Sequence, residues 1–274
     1  MSKEILSLGL TTIVGLTMGF GSLLSYLVKR SNRKFLSLSL SFSAGIMIYT
    51  AFMAILPEGI HLLEENLGEA GYYIALLAFF GGMFLTALVE KIVHRFGGHH
   101  HGFEEEHEHH HHEHEHEHEH NHHTTNLGIM SAIAIAIHNL PEGLAVYTTG
   151  LKDISLAIPI AIGVILHNIP LSIAITMPIF YATGSRKKGF IYSLIVGLCQ
   201  PLGAILGHLI LSNFLNDVVH GILFALVGGI MIFISLDELL PISRKDDDHH
   251  IGIYVTILGM MIMAIAMNII HHNH

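Results

Sequence analysis

Stretches of about twenty apolar residues recur along the whole chain, and they restrict its fold more than any other feature. A helix needs about 20 residues to cross the roughly 30 Å of hydrocarbon in a bilayer. Hydrophobic residues make up 51% of the 274 residues and charged residues only 13%, whereas about 25% of a typical soluble domain is charged. The predicted spans are residues 5–28, 35–56, 72–93, 127–149, 154–181, 189–212, 218–240 and 251–270. The sequence therefore predicts an all-α membrane protein with eight transmembrane helices.

Basic residues are distributed unequally between the predicted loops. Of the thirteen Lys and Arg residues, eleven lie in the first, third, fifth and seventh loops or at the end of a span beside one of them, and only Lys3 and Lys152 lie elsewhere. Lys and Arg are retained preferentially on the cytoplasmic side of a membrane. We therefore expect both termini to face outward and the odd-numbered loops to face the cytosol.

Two pairs of similar segments indicate an internal repeat. GIMIYTAFMAILP (45–57) and GIMIFISLDELLP (229–241) lie in the second and seventh predicted spans, and HNLP (138–141) and HNIP (167–170) lie in the fourth and fifth. With eight spans, the members of each pair run in opposite directions through the membrane. Inverted repeats with interrupted helices are typical of transporters that build a central site. We expect helices 1–3 to be related to helices 6–8, with helices 4 and 5 central; chance similarity between apolar helices is the alternative.

A polar segment, residues 97–126, separates the third and fourth predicted spans and consists mainly of His and Glu. Such a composition is too polar to form a packed core, and His-rich tracts bind borderline metal ions without a fixed fold. We expect a disordered, metal-binding cytoplasmic loop between the transmembrane segments of residues 1–96 and 127–274. A solvated linker with incidental metal affinity is the alternative.

The fourth predicted span contains polar residues that are costly in a membrane. His138 and Glu142 are four residues apart, so they share a helix face, and Asn139 lies beside them. Pro141 has no N–H group and frees the carbonyl of Ile137 from the helix ladder. An ionisable residue in a transmembrane helix costs roughly 2.5–3.5 kcal/mol on insertion scales and indicates a functional site.

The fifth predicted span repeats part of this pattern with His167, Asn168 and Pro170. No Lys or Arg lies in the interior of a predicted span to neutralise Glu142, so the compensating cation has to come from solution. Two imidazoles, one carboxylate and amide oxygens suit Zn²⁺, Fe²⁺, Mn²⁺ or Co²⁺ better than Mg²⁺ or Ca²⁺. Hydrogen bonds that merely join the helices are the alternative.

Four features together resemble the ZIP family of divalent-metal transporters. They are HNLPEGLAVYTTG, the following HNIPLSIAITMPIFYATGSRKKGF, DELLP in the seventh span and the histidine-rich loop after the third. The resemblance covers the whole membrane part of the chain and implies uptake of Zn²⁺ and related ions into the cytosol of a prokaryote across its cell membrane. It implies no cofactor beside the transported metal. Divalent metal ions and the lipid bilayer are the expected partners, nucleic acid is not, and a homodimer is a candidate assembly.

Residue by residue, the resemblance implies a metal site on the fourth, fifth and sixth spans. The residues carried over are His138, Glu142 and His167 for a primary site and Asn139 and Asn168 for a second, neighbouring one, with Gln200 as the candidate metal-site residue of the sixth span. Where the family usually has glutamates, however, this chain has Leu171 and Gln200. Two adjacent dications repel strongly in a medium of low dielectric constant. With one carboxylate, we expect a mononuclear site, completed by an asparagine oxygen or water.

Other functions agree with parts of the pattern. A membrane metalloenzyme would need further catalytic residues, and none of the predicted spans contains the HExxH motif of zinc proteases. An efflux protein could use the same ligands, because the direction of transport is not encoded in them. A homologue whose transport is impaired by the two missing carboxylates is a further alternative. The distribution of basic residues and the family resemblance favour uptake.

Overall fold

A computed structural model describes residues 2–25, 33–96, 116–211, 216–241 and 249–271. This part of the chain is helical and has no β-strands. Its helices are α1 (Lys3–Leu24), α2 (Arg33–Thr50), α3 (Leu56–Leu67), α4 (Glu69–Phe96), α5 (His116–Lys152), α6 (Ile154–Thr183), α7 (Arg186–Leu211), α8 (Asp217–Ile234) and α9 (His249–His271). The predicted all-α class is confirmed.

Seven helical stretches among the described residues are long and apolar enough to cross a membrane. They are Lys3–Leu24, Lys34–Leu67, Glu69–Ile92, Ile154–Tyr181, Arg186–Ile210, Asp217–Leu239 and His250–Ile269. The other predicted span, residues 127–149, lies inside α5, which is not among the seven. Helix α5 begins at His116, so residues 116–126 of the predicted loop are helical. Residues 97–115, which hold most of the histidine-rich sequence, lie outside the described residues.

The two copies of the GIMI repeat depart from the α-helix at the same place. π-helical turns occupy Ala51–Ile55, between α2 and α3, and Ser235–Leu239, after α8. In each copy the turn precedes a Leu-Pro pair, which contains Pro57 or Pro241. Proline lacks the N–H group that would bond four residues back, and its ring crowds the carbonyl there, so a wider turn relieves both problems. The equal position of the two turns supports the predicted repeat.

The helices pack as two groups that are joined mainly where α2 contacts α6. Helices α1, α5, α6 and α7 pack on one another, while α2 packs on α9 and α8 packs on α3 and α4. Helix α2 also packs along α6 and connects the groups. Glycines allow close approach in both: a β-carbon at Gly15 of α1 would meet the carbonyl of Gly197 in α7, and one at Gly45 of α2 would meet the carbonyl of Thr256 in α9. Close backbone contact through small residues is typical of membrane helix bundles.

Three points of the chain that the predicted topology places on the outer side lie together. The Lys3 ammonium, at the start of α1, donates to the backbone carbonyl of Lys152 at 3.1 Å. The Lys152 ammonium, at the end of α5, lies 2.5 Å from Oδ1 of Asp217, where α8 begins. The structure therefore brings the beginnings of α1 and α8 to the same end of the bundle as the end of α5, as an eight-span topology requires.

Helix α4 presents large apolar side chains outward. Tyr73, Leu77 and Phe84 have exposed fractions of 66%, 74% and 75%. A contiguous exposed apolar face of this kind is unfavourable in water and favourable in hydrocarbon. It agrees with the placement of α4 in a membrane.

Candidate metal centre

The two HNxP motifs lie in the middle of α5 and α6, deep inside the first helix group. His138 and Glu142 of α5 have exposed fractions of 2% and 1%, and His167 of α6 is completely buried. Both motifs remain helical through Pro141 and Pro170. Packing of α5 against α6 thus brings together the three residues that the sequence predicts as the primary metal site.

The three side chains converge on one oxygen atom. Glu142 Oε1 lies 3.0 Å from Nε2 of His167 and 4.0 Å from Nε2 of His138. One possible ligand atom from each residue lies within 4.8 Å of the other two. In the described part of the chain, this is the one group of three or more His, Cys, Asp or Glu side chains with such a spacing.

The ligand atoms of this group are buried without hydrogen bonds. Among the described residues, neither ring nitrogen of His138 or His167 has a hydrogen-bond partner of acceptable geometry, and neither does Oε1 of Glu142. Buried polar groups are almost always paired, because an unpaired one costs about 1–3 kcal/mol. Two imidazoles and a carboxylate oxygen are ligands that Zn²⁺ and similar ions prefer. The donor set therefore fits a divalent transition-metal ion.

Asn139 and Asn168 flank this group, and neighbouring helices orient their amides. Asn139 donates from Nδ2 to the carbonyl of Val196 in α7 at 2.9 Å. Asn168 donates from Nδ2 to the carbonyl of Val14 in α1 at 3.3 Å. The Oδ1 atoms of both residues are buried and have no partner among the described residues. Neither amide oxygen is therefore occupied by a hydrogen bond to another described residue.

Gln200 of α7 lies at the site, but it faces Glu142 as a hydrogen-bond donor. Its Nε2 donates to Oε2 of Glu142 at 2.7 Å, and its Oε1 accepts from Nδ2 of Asn168 at 3.4 Å. An amide nitrogen is not a metal ligand, because its lone pair is delocalised into the carbonyl. In this arrangement Gln200 contacts the predicted site through the carboxylate of Glu142, and its role as a direct ligand stays a prediction.

Leu171 occupies the position where the family resemblance implies a second carboxylate. It follows His167 by one helical turn and lies on the same face of α6. Its side chain is completely buried and belongs to the main hydrophobic core. The α6 side of the site therefore offers an imidazole and an amide, but no negative charge.

A cavity of about 120 Å³ extends to His138 from between α4, α5 and α8. Its walls include Pro141, Ile234 and Glu90, and Glu90 lies beside Asp237 and Glu238 of the second π-helical turn. Glu90 was not among the residues predicted from the sequence, although an acidic residue inside a predicted span was a usable signal.

Comparisons with known proteins agree with this arrangement. The model of the family described as ZIP Zinc transporter matches residues 1–267. A protein of Streptococcus mutans serotype c named zinc transporter ZupT is 45% identical over 259 residues, which cover 94% of this chain and 95% of that protein. Proteins with the same name from Clostridium perfringens and Oceanobacillus iheyensis are 42% and 43% identical and cover 97% of this chain. These matches cover 96% and 98% of the two relatives.

Proposed function

This chain belongs to the ZIP zinc transporter family, and we propose that it imports Zn²⁺ and related divalent cations into the cytosol through His138, Glu142 and His167. It is a multi-pass bacterial membrane protein and a transporter of divalent metal ions rather than an enzyme. The observation that carries the proposed site is the set of buried ligand atoms without hydrogen-bond partners. A single divalent cation would bind one nitrogen of each imidazole together with Oε1 of Glu142.

Binding requires the cation to exchange water for protein ligands. Glu142 supplies the negative charge, and the two imidazoles supply nitrogen atoms without adding charge. Zn²⁺ prefers four ligands of this kind, so one further position is filled by water or by Oδ1 of Asn139 or Asn168. The neutral amides keep the charge of the loaded site at +1, which costs less to bury than a hydrated dication in hydrocarbon.

Transport requires the site to open to each side of the membrane in turn. All three proposed ligands lie on α5 and α6, in the helix group that also contains α1 and α7. The cavity beside His138 lies between this group and the helices α4 and α8 of the other group. We propose that the two groups move relative to each other, which inverted repeats permit without disturbing the ligands.

The direction of transport is supported by the distribution of charges. Eleven of the thirteen basic residues lie in or beside the loops expected in the cytosol, and the histidine-rich segment 97–126 belongs to the same side. Imidazole-rich sequence there would bind ions as they leave the membrane part. We also propose that the chain contacts lipid directly and forms a homodimer. The exposed apolar face of α4 supports the lipid contacts.

Uptake of radiolabelled Zn²⁺ by cells that express the chain tests the proposal. The parent is compared with Glu142→Ala and with Glu58→Ala, a matched control in which the glutamate also follows a helical proline but is only half-buried. We expect the parent and Glu58→Ala to accumulate Zn²⁺ above cells without the protein, and Glu142→Ala to fall to their level.

The alternatives give different results in the same assay. An efflux protein would lower cellular Zn²⁺ below the level of cells without the protein. A chain that has lost transport would show no uptake, and Leu171→Glu with Gln200→Glu would then be expected to restore it. Equal uptake by the parent and Glu142→Ala would contradict the proposed site.

A further inference from the structure

Gln200 connects the single carboxylate of the site to three helices. It is completely buried and lies between Glu142 of α5, which accepts from its Nε2 at 2.7 Å, and Asn168 of α6, which donates to its Oε1 at 3.4 Å. Asn168 is oriented in turn by the carbonyl of Val14 in α1 at 3.3 Å and by Oγ1 of Thr17 at 3.5 Å. A chain of amide groups therefore runs from α1 through α6 and α7 to Glu142.

This chain of hydrogen bonds determines which way the Gln200 amide points. A flipped amide would place its oxygen against the carboxylate of Glu142 and its NH₂ group against that of Asn168. Both contacts would be repulsive in a buried environment, where an unpaired polar group is costly. The NH₂ group of Gln200 is therefore fixed toward Glu142.

Because this donor is fixed, the two carboxylate oxygens of Glu142 have different surroundings. Oε2 accepts the hydrogen bond from Gln200, while Oε1 faces Nε2 of His167 at 3.0 Å and has no hydrogen-bond partner among the described residues. Oε2 keeps a second lone pair, but a cation bound there would lie beside the positive end of the Gln200 N–H dipole. Oε1 is therefore the favoured ligand atom for a metal ion.

We propose that Gln200 is a positioning residue that holds Glu142 in the orientation in which one divalent cation binds through Oε1 together with two imidazoles. The inference rests on the proposed site and adds to it the basis of its selectivity. Monodentate carboxylate with two nitrogen ligands favours Zn²⁺ over Mn²⁺, which prefers oxygen ligands. Gln200 thus makes the site more selective without touching the metal.

Metal counting on the purified full-length protein tests this role. The histidine-rich segment also binds metal, so the number of site ions is the Zn²⁺ content of the parent minus that of Glu142→Gln, in which the segment is unchanged. We expect a difference of one ion per chain. A difference of two would overturn the inference, whereas no difference would contradict the proposed site itself.

Two variants of Gln200 separate positioning from simple filling of space. Gln200→Glu adds a carboxylate and removes the donor, so we expect a second Glu142-dependent ion or a Zn²⁺/Mn²⁺ selectivity at least about tenfold lower. Gln200→Met keeps a similar volume and frees Oε2, so we expect one ion and a selectivity lower by about tenfold. Competition between Zn²⁺ and Mn²⁺, followed by the electron paramagnetic resonance of free Mn²⁺, measures the selectivity.

Each outcome bears on the proposal. If both variants keep the ion number and the selectivity of the parent, Gln200 only fills space and the inference is wrong. Should Gln200→Glu fail to fold, as judged by size-exclusion chromatography in detergent, Gln200→Met decides by its selectivity alone. The double variant Glu142→Gln with Gln200→Glu keeps an amide–carboxylate pair between α5 and α7, so we expect it to fold. It moves the negative charge away from His167, so we expect it to lose the site ion.

Discussion

Helices α5 and α6 carry nearly the same motif, HNLPEG at 138–143 and HNIPLS at 167–172, yet they contribute differently to the site. The first four residues of each place a buried histidine and a buried asparagine at equivalent positions. The fifth residue is Glu142 in α5 and Leu171 in α6. Glu142 lies among ligand atoms, whereas Leu171 belongs to the hydrophobic core.

The difference shows that a repeated backbone framework does not require a symmetric site. Both motifs tolerate a proline inside a transmembrane helix, which frees one carbonyl in each. The charge, however, stands on one side only, and the amide of Gln200 approaches that side. At the fifth position of the motif, one half of the repeat has a carboxylate in the cluster and the other half has an apolar side chain in the core.

Exchanging the fifth residues of the two motifs should have the largest effect on transport. Glu142→Leu combined with Leu171→Glu keeps one carboxylate but moves it to α6, away from the N–H group of Gln200. We expect Zn²⁺ uptake to fall at least about 100-fold, since even losing an outer partner of a metal ligand costs roughly 10–100-fold. Initial uptake rates of radiolabelled Zn²⁺, corrected for protein in the membrane, provide the measurement.

The single variant Glu142→Leu serves as the control for the exchange. It should be as inactive as the double variant, because the position of the carboxylate matters as much as its presence. Uptake by the double variant within a few-fold of the parent would show that α5 and α6 are interchangeable.

Adding a carboxylate to α6 alone should alter stability in a metal-dependent way. In Leu171→Glu, a second buried acid stands one turn from His167 without a cationic partner. We expect the variant to lose about 3 kcal/mol of stability in the absence of metal, the typical cost of a charged side chain at the centre of a transmembrane helix. Saturating Zn²⁺ should recover more stability than it adds to the parent, because the ligand binds only the folded state.

Thermal unfolding of detergent-solubilised protein, with and without Zn²⁺, follows this effect. Leu171→Gln is the matched control, since it adds polar atoms of similar size without charge. Equal Zn²⁺-dependent shifts in Leu171→Glu and Leu171→Gln would mean that the new carboxylate does not reach the cation.

The membrane helices and the cluster of His138, Glu142 and His167 could be predicted from local patterns. Apolar length identifies the membrane helices, and the four-residue spacing of His138 and Glu142 places them on one face. The duplicated HNxP motif adds His167. These features depend on neighbouring residues of the same helix, so one sequence contains the information.

The role of Gln200 could not be predicted in the same way. Whether its amide presents oxygen or nitrogen to Glu142 depends on Asn168 of α6 and Val14 of α1, which are distant in sequence. The π-helical turns before Pro57 and Pro241 were also missed, because a proline in a helix is compatible with a kink, a break or a wider turn. Such choices are made by the packing of several helices.

The last residues of the two motifs offer a test of packing rather than of charge. A β-carbon at Gly143 would meet backbone atoms of Gln200 in α7, so Gly143→Ala has to separate α5 from α7. We expect a loss of about 1–3 kcal/mol, as for other overpacked sites, and weaker Zn²⁺ binding because Glu142 and Gln200 are displaced. Thermal unfolding and Zn²⁺ content provide the two measurements.

Gly81→Ala is the control for this packing effect. A β-carbon at Gly81 of α4 would meet no atom within 4 Å, and alanine is favoured over glycine in a helix by up to about 1 kcal/mol. Gly81→Ala should therefore be neutral or stabilising. A similar loss in both variants would show that the contact of Gly143 with α7 is not the cause.

The equivalent residue of α6 should give the smallest effect. Ser172 donates from Oγ to the carbonyl of Ile169 at 2.6 Å, within its own helix. Where α6 packs against α1 at this point, the glycine that allows close approach is Gly21 of α1. Ser172→Ala removes one hydrogen bond and adds no volume, so we expect a change below about 1 kcal/mol. Gly21→Ala should be clearly destabilising, because its β-carbon would meet both Ser172 Oγ and the Ile169 carbonyl.

Combining the two substitutions shows whether the Ser172 side chain or the α6 backbone limits the space at Gly21. Ser172→Ala removes one of the two obstacles to Gly21→Ala and leaves the Ile169 carbonyl in place, so the double variant should recover only part of the loss. Unfolding midpoints of the four proteins give the coupling. If the double variant is as stable as the parent, the Ser172 hydroxyl alone limits the space at Gly21. If it is as unstable as Gly21→Ala, the α6 backbone sets the limit, just as the α7 backbone does at Gly143 in the other motif.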